Sequence, residues 1–281
     1  MTTQSGTEQT GSTEQAIRFS AKPIIVASHP RSGTHLTIDG LRHFFCETYQ
    51  KQRFNQPVHD LYINLDRLEP DHQFYIPPER MTQLFERCRK RVIVKTHGSV
   101  QADRVGPDNR AFAQGILAAS DIVYVVRDVR PVLVSYMALR PMKYPDSPTE
   151  ISTFLKTDLD GYGPPAAAWA AHVNGWLDRP EVVEVVKFED MRSNYEKTIA
   201  DLGAALGMTR NARPIRVYPK PRSIVENKLR RLLGRQLSSS IDNLRMKMTT
   251  PKWKDVMSEG DLALIREQAG DTMARLGYAW S

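Results

Sequence analysis

Cysteine is scarce in this sequence of 281 residues, which contains only Cys46 and Cys88. Each cysteine falls on an apparent helix with apolar neighbours, so we expect core thiols rather than a disulfide, as in a reducing cytoplasm. No histidine cluster at ligand spacing accompanies them, so no zinc or other metal site is expected. No apolar run approaches the roughly 18 residues that a membrane-spanning helix needs.

The N-terminal segment lacks both a basic start and an apolar stretch, so we expect no secretory signal peptide there. Its residues are mostly Thr, Gln, Ser, Gly and Glu, a composition that predicts a disordered tail over residues 1–20. The rest of the chain, residues 21–281, is long enough for one large domain. Together with the cysteine content, these features predict a cytoplasmic protein without a transmembrane segment.

The chain is basic, with a formal net charge of +7 and a sequence pI of about 9.4. Positive charge of this size favours an anionic ligand, although solvated basic faces are also common. The basic runs at 87–91 and 220–235 lack the interleaved aromatic residues of a single-stranded nucleic-acid groove. No recognised reading module for duplexes is present either. We therefore expect no nucleic-acid partner.

Hydrophobic periodicity predicts strands that alternate with helices. The predicted strands cover residues 23–28, 91–96, 121–126 and 182–188; the predicted helices cover 33–45, 79–90, 111–119, a segment from 131, 151–159, 166–177, 195–206 and 261–276. The segment 50–78 is expected to be irregular, and 208–258 is expected to be a mobile cover. This alternation is typical of one α/β domain with a central parallel sheet flanked by helices.

Three predicted strands end in polar segments that contain basic residues. The segments read SHPRSGTH, VKTHGS and VVRDVRPVLVSY, and they bring Arg31, then Lys95 with His97, then Arg127 with Arg130. Because parallel strands place their carboxyl ends at one edge of the sheet, ligands bind there. The sequence therefore predicts a site for an anion with several charged groups.

The first of these segments has the composition of an anion-binding turn. A helix start leaves N–H groups without partners and carries partial positive charge. Gly33 lets the backbone approach a ligand, while Arg31, Ser32 and Thr34 add donors. The alternative is an ordinary strand–helix connection whose Ser and Thr side chains cap the helix.

The segment does not match the phosphate loop G-x-x-x-x-G-K-[ST], because it has one glycine and no following Lys-Ser/Thr pair. A carboxylate for Mg²⁺ is also missing where the third strand ends in Val-Val-Arg. A metal-dependent nucleotide kinase or other phosphotransferase is therefore the second interpretation. A non-catalytic basic protein that binds nucleic acid is the third.

Four motifs in order resemble the cytosolic-type sulfotransferases that use 3′-phosphoadenosine 5′-phosphosulfate (PAPS). They are PRSGT at 30–34, KTH at 95–97, VVRD at 125–128 with Ser135, and VKFEDM at 186–191, preceded by YGPPAAAWAAHVNGW. The resemblance covers roughly residues 22–207. It implies a P-loop-like fold similar to nucleotide kinases. It also implies transfer of a sulfuryl group from PAPS to a hydroxyl, less readily to an amine, which yields a sulfate ester and adenosine 3′,5′-bisphosphate (PAP).

The resemblance also implies roles for individual residues. The 5′-phosphosulfate is expected at Arg31, Ser32, Gly33, Thr34 and His35, and the 3′-phosphate at Arg127 and Ser135; Ser223 and Arg245 are weaker matches to further cofactor contacts. His97 is the expected general base. Arg31 and Lys95 are expected to stabilise the transferring sulfonate and the leaving phosphate. No metal is implied.

The acceptor is expected to be a hydroxyl compound: a small molecule, a saccharide or a lipid. Aromatic residues in 50–78 and 140–165 either line an acceptor cleft or are simply packed; they are Phe54, Tyr62, Phe74, Tyr75, Tyr144 and Tyr162. The dimer motif of the cytosolic enzymes is not reproduced after Lys254, so their mode of dimerisation is not assumed.

Overall fold

Five strands form one parallel sheet at the centre of the protein. The computed structural model describes residues 17–48, 62–68, 76–142, 144–159, 161–211 and 251–280. The strands are β1 (Ile24–Ser28), β2 (Ile63–Asn64), β3 (Ile93–Thr96), β4 (Asp121–Val126) and β5 (Val182–Lys187). Their order is β2-β3-β1-β4-β5, and every pairing is parallel. The predicted fold class is confirmed.

Helices cover both faces of the sheet. They are α1 (Thr34–Phe44), α2 (Pro78–Arg87), α3 (Pro107–Ala118), α4 (Val129–Leu139), α5 (Ile151–Phe154), α6 (Pro165–Leu177), α7 (Phe188–Ser193), α8 (Tyr195–Ala205), α9 (Trp253–Val256) and α10 (Glu259–Arg275). Among the described residues, none of these helices is long and apolar enough to cross a membrane. Most of the predicted helices are present, with ends shifted by a few residues.

The central strand β1 is almost wholly apolar because both of its faces are buried. Ile24 and Val26 pack on one face with α1 and α8, whereas Ile25 and Ala27 pack on the other with α3, α4, α6 and α10. All five residues of β1 are fully buried. A strand covered on both faces shows no alternation of polar and apolar residues. The sheet therefore separates two hydrophobic cores.

Two elements differ from the sequence prediction. The segment predicted as irregular contains β2, which pairs Ile63 with Val94 of β3. A strand of two residues has no periodicity of its own, so only its partner reveals it. The helix predicted over 195–206 is present as α8, but the short helix α7 before it was not predicted; Asn194 separates the two, because it leaves helical geometry and caps α8 by accepting a hydrogen bond from the Lys197 N–H.

The prediction that the cysteines are core thiols is wrong. Both cysteines are free, as predicted, but Cys46 is exposed and Cys88 is only partly buried. The helices α1 and α2 end at Phe44 and Arg87. Each cysteine therefore lies just beyond a helix rather than on its buried face.

Residues 1–16 of the predicted tail lie outside the described residues, and so does 212–250, most of the predicted mobile cover. The last residues of the predicted disordered tail are instead packed on the domain, since Ile17 and Phe19 contact the hydrophobic core. The Phe19 and Phe85 rings lie 5.0 Å apart, and the Ser20 N–H donates to the Phe85 carbonyl.

Candidate active site

The three predicted strand ends are neighbours, because β1 lies between β3 and β4. The register pairs Ala27 with Thr96 and Ser28 with Val125, which places the three following turns side by side. Arg127 Nη1 donates to the Arg31 carbonyl at 3.2 Å, and Arg31 Nε donates to Ser135 Oγ at 2.8 Å. The structure thus brings these predicted residues together at one edge of the sheet.

The turn between β1 and α1 is shaped to receive an anion. Gly33 is the N-cap of α1, with φ 109°, and no side chain caps the helix. Thr34 Oγ1 instead hydrogen-bonds Ser28 Oγ at 2.6 Å, and the fully buried Ser32 Oγ has no partner in the described part of the chain. An unpaired buried hydroxyl is costly. The alternative of an ordinary capped connection does not describe this turn.

The backbone of this turn is strained. Arg31 has φ 74°, in the left-handed region that non-glycine residues rarely adopt. Such a conformation costs on the order of 1–2 kcal/mol and persists where the surrounding structure imposes it. In this conformation the Arg31 carbonyl accepts a hydrogen bond from Arg127, and the Arg31 guanidinium donates one to Ser135.

Phe188, from the VKFEDM segment, supports both the turn and Arg127. A Cβ atom built on Gly33 would lie 2.6 Å from Phe188 Cδ2, so only glycine fits there. The Arg127 guanidinium lies 4.4 Å from the centre of the Phe188 ring, a cation–π arrangement. Arg127 Nε is buried and has no hydrogen-bond partner among the described residues. The Arg127 Nε–H group can therefore donate a hydrogen bond to a bound anion.

His97 has a defined orientation at the end of β3. Its Nδ1 lies 2.8 Å from the Ser28 carbonyl, which can only accept, so Nδ1 carries the proton. Its Nε2 then has the free lone pair in the neutral ring. Burial, together with nearby Lys95, lowers the pKa of His97 well below its usual value near 6.5. The ring is therefore neutral at neutral pH and Nε2 is able to accept a proton.

Asp66 holds the backbone around His97, and the sequence analysis did not single it out. Its carboxylate accepts from Thr96 Oγ1 at 2.6 Å, from the His97 N–H at 2.8 Å and from the Gly98 N–H at 3.3 Å. Asp66 lies in a short 3₁₀ turn, Leu65–Arg67, directly after β2. Because β2 is recognisable only through its pairing with β3, no sequence pattern indicated that Asp66 follows a strand end.

His172 holds the same segment from the opposite side. Its Nε2 lies 3.2 Å from the His97 carbonyl and 3.0 Å from the Gly98 carbonyl, so Nε2 donates, and Nδ1 accepts from the Tyr124 hydroxyl at 2.9 Å. Trp176 Nε1 also donates to the Gly98 carbonyl. Burial lowers the pKa of His172 to about 4. His172 belongs to a segment that the sequence analysis quoted, but its role there was not identified.

Lys95 and His35 lie beside the turn. Lys95 is 7% exposed, and burial lowers its pKa to about 8 despite the opposing charge of Asp66. Lys95 is therefore mostly protonated, and so positively charged, at pH 7. Burial, with Lys95 and Arg31 nearby, lowers the pKa of His35 to about 3. The Tyr62 ring lies against both, 5.8 Å from Lys95 Nζ and 5.5 Å from the His35 ring.

Arg130 does not belong to the site, contrary to the prediction. Its guanidinium binds both oxygens of Asp128, donates to the Ala279 carbonyl and stacks on the Trp253 and Trp280 rings. It therefore anchors the C-terminal segment.

Ser223 and Arg245, the weaker predicted cofactor contacts, lie outside the described residues. Among the residues that are described, no group of three or more His, Cys, Asp or Glu side chains is placed to hold a metal ion. The described site combines cationic donors, an anion-binding turn and a neutral imidazole. This combination can bind a polyanion and remove a proton beside it.

The sequence matches the family described as Sulfotransferase domain over residues 21–277. No curated protein matches the sequence significantly. Mouse sulfotransferase SULT7A1, solved with PAP, has a TM-score of 0.56 at 19% identity, with coverage of 91% of this chain and 86% of that one. Retinol dehydratase, solved with retinol and PAP, has a TM-score of 0.51 at 18% identity, covering 90% and 82%.

A sulfotransferase domain from the curacin biosynthetic pathway also shares the fold, with a TM-score of 0.51 at 15% identity and coverage of 92% of this chain and 99% of that one. The chain belongs to the sulfotransferase domain family, as its motifs indicated. It is a PAPS-dependent sulfotransferase with the P-loop-like fold of that family.

The buried histidines make stability depend on pH. Burial lowers the pKa of His29, His35, His97 and His172. Below pH 6.5 these histidines bind protons in the unfolded chain but stay neutral in the folded protein, so protonation favours unfolding. We expect the free energy of unfolding to fall as the pH is lowered from about 6.5 to about 4, by up to about 1.4 kcal/mol per pH unit for each group.

Urea denaturation at pH 7, 6 and 5 measures this slope. The variant His172→Gln keeps an amide donor for the Gly98 carbonyl and lacks the titrating ring, so its slope should be shallower. A free energy of unfolding that is constant between pH 7 and pH 5 would contradict the expectation.

Proposed function

We propose that the protein transfers a sulfuryl group from PAPS to a hydroxyl, with His97 as the general base. The observation that carries this proposal is the hydrogen bond from His97 Nδ1 to the Ser28 carbonyl. It leaves Nε2 as the proton acceptor beside Lys95 and the anion-binding turn. An alcohol must lose its proton as it attacks sulfur, whereas a neutral amine attacks with its own lone pair. A positioned base therefore favours a hydroxyl acceptor.

The residues present fit the anionic end of PAPS. The N-terminus of α1 has no side-chain cap, and Ser32 Oγ is a buried hydroxyl without a partner in the described chain. The N–H groups and hydroxyls of Ser32, Gly33 and Thr34 would hold the 5′-phosphosulfate, with His35 at the first turn of α1. When bound, PAPS supplies the sulfuryl group for transfer.

Arg127 and Ser135 would hold the 3′-phosphate. Arg127 Nε is a buried donor without a partner among the described residues, and its guanidinium is held in place by Phe188. Ser135 Oγ lies 2.8 Å from Arg31 Nε, so the two proposed phosphate sites are adjacent. Arg31 thereby connects them.

Three side chains would then act on the reaction. His97 Nε2 takes the proton from the acceptor hydroxyl as its oxygen forms the new bond to sulfur. Arg31 stabilises negative charge on the leaving 5′-phosphate, and Lys95 stabilises the sulfonate during transfer. Arg31 acts electrostatically, because a guanidinium does not give up its proton near neutral pH.

We further propose a small-molecule hydroxyl compound as the acceptor and the cytoplasm as the place of reaction. Retinol dehydratase, which shares the fold, was solved with retinol and PAP. Both cysteines of this chain are free thiols, which is compatible with a reducing compartment.

Ligand-induced stabilisation tests the cofactor. Because a ligand that binds only the folded state raises the melting temperature, PAP should raise it strongly, and 5′-AMP should raise it weakly. ATP with Mg²⁺ should have little effect, since the carboxylate that follows β4, Asp128, is already bound by the Arg130 guanidinium. Stabilisation by ATP with Mg²⁺ that exceeds the effect of PAP would favour a phosphotransferase instead.

Substitution of His97 tests the base. Both His97→Ala and His97→Asn should lower turnover by about 10²–10⁴-fold, the usual contribution of a general base. His97→Asn is the sharper variant, because its amide can still donate to the Ser28 carbonyl while no proton acceptor replaces Nε2. PAP affinity, measured by calorimetry, should stay close to that of the wild type. Substantial activity in His97→Asn would show that the ring serves only as a donor.

Substitution of Arg127 tests the 3′-phosphate site. Arg127→Ala should weaken PAP by about 10- to 100-fold, since charge-assisted hydrogen bonds contribute about 1.5–3 kcal/mol. The affinity for 5′-AMP should change little, because it lacks the 3′-phosphate. Arg89→Ala removes the same charge from an exposed position at the opposite edge of the sheet and serves as the control. Equal losses for both nucleotides would place the 3′-phosphate elsewhere.

A further inference from the structure

We infer that Arg104 binds an anionic group of the acceptor, so that the preferred substrates are hydroxyl compounds that also carry a carboxylate, sulfate or phosphate. This inference rests on the proposed function and adds the charge of the acceptor to it. Arg104 belongs to the loop 98–105, which directly follows His97. None of the motifs in the sequence analysis includes it.

The loop that carries Arg104 is held in one conformation. Asp103 accepts from the Ser99 N–H and from the Tyr162 hydroxyl, both at 2.7 Å. Two turn hydrogen bonds, from Ala102 N–H to the Ser99 carbonyl and from Val105 N–H to the Ala102 carbonyl, are each 3.0 Å long. Ala102 and Val105 are buried in the core. The backbone of Arg104 is therefore fixed by the residues on both sides of it.

This backbone places Arg104 beside Gly98, the residue that follows the proposed base. A Cβ atom built on Gly98, the residue after His97, would lie 3.6 Å from Arg104 Cβ. Gly98 is also held by Asp66, His172 and Trp176. The positive charge of Arg104 is near enough to contribute to the lowered pKa values of Lys95 and His97. It therefore acts on the groups that surround the transferring sulfonate.

Arg104 forms no direct ion pair in the described part of the chain, although its charge helps to lower the pKa of the adjacent Asp103. Its side chain is exposed, and no ion pair or hydrogen bond reaches its guanidinium from the described residues. The adjacent Asp103 is engaged by Ser99 and Tyr162 instead. An exposed cation on a fixed backbone near His97, with the neighbouring carboxylate hydrogen-bonded to other donors, is suited to an anionic ligand.

Its position in the chain assigns this cation to the acceptor rather than to PAPS. The residues proposed for the two phosphate groups come from the β1–α1 and β4–α4 connections, whereas Arg104 follows β3. Arg67, after β2, adds a second charge on this side, since it also contributes to the lowered pKa of Lys95. An uncharged acceptor bound here would remove water from the Arg104 guanidinium without supplying a negative charge in its place, which is unfavourable.

Matched acceptor pairs test the inference. Each pair shares one hydroxyl type and differs in charge: 4-hydroxyphenylacetate and its amide, glucuronate and its amide, and 3-hydroxybutyrate and its amide. With radiolabelled PAPS, the carboxylate of at least one pair should have the higher kcat/KM, by about tenfold or more. The same carboxylate should raise the melting temperature of the PAP-saturated protein more than its amide does.

The variant Arg104→Gln should abolish this preference, mainly by raising KM for the carboxylate about tenfold while the amide is unaffected. Arg89→Gln, which removes an exposed charge at the opposite edge of the sheet, should retain the preference. Stabilisation by PAP alone should be the same in the wild type and Arg104→Gln.

The outcomes separate the inference from the proposed function. If PAP stabilises the wild type but no pair shows a preference for the carboxylate in turnover or stabilisation, the inference is overturned and the cofactor assignment stands. If Arg104→Gln loses stabilisation by PAP, Arg104 serves the cofactor, which also overturns the inference. If PAP does not stabilise the wild type, the proposed function fails and the inference falls with it.

Discussion

The structure depends on holding several positive charges together at one edge of the sheet with little access to water. Arg31, Lys95 and Arg127 are each partly or largely buried, and burial lowers the pKa of all three. Removing cations from water is unfavourable unless negative charge replaces the lost hydration. Asp66 and Glu189 compensate only in part. The described site therefore retains uncompensated positive charge, which favours the binding of a polyanion.

The parallel sheet is what brings these charges together. Because β3, β1 and β4 are neighbours, the three turns that follow them meet at one edge. Each turn is then held by a residue distant in the chain. Phe188 packs on Gly33 and Arg127, Asp66 binds the backbone after β3, and His172 holds the carbonyls of His97 and Gly98. A fixed site of this kind needs little reorganisation when charge develops during a reaction.

The same burial that concentrates charge also sets the state of the imidazole. With its Nδ1 proton committed to the Ser28 carbonyl and with Lys95 nearby, His97 is held neutral. A lowered pKa keeps the proton acceptor free but makes it a weaker base. Negative charge from a bound sulfonate would oppose the effect of Lys95 and raise the basicity of Nε2. The His97 imidazole and the neighbouring cationic groups are thus coupled through charge.

Strand β4 was predicted with its observed ends, and the PRSGT, KTH and VVRD motifs were placed at the edge where they are found. These features are local, because a run of apolar residues, a glycine-containing turn and a helix start are each determined by about a dozen neighbouring residues. The order of the motifs indicated the sulfotransferase family, and the family match over residues 21–277 confirmed it.

The sequence alone did not reveal Asp66, because β2 exists only by pairing with β3. It also placed Arg130 in the site, although Asp128 and the C-terminal tryptophans hold that side chain elsewhere. The contacts of His172 were likewise decided only when its distant segment met the end of β3. Local patterns determine strands, turns and the residues they offer; which of those residues face one another depends on long-range packing, which no short stretch of sequence encodes.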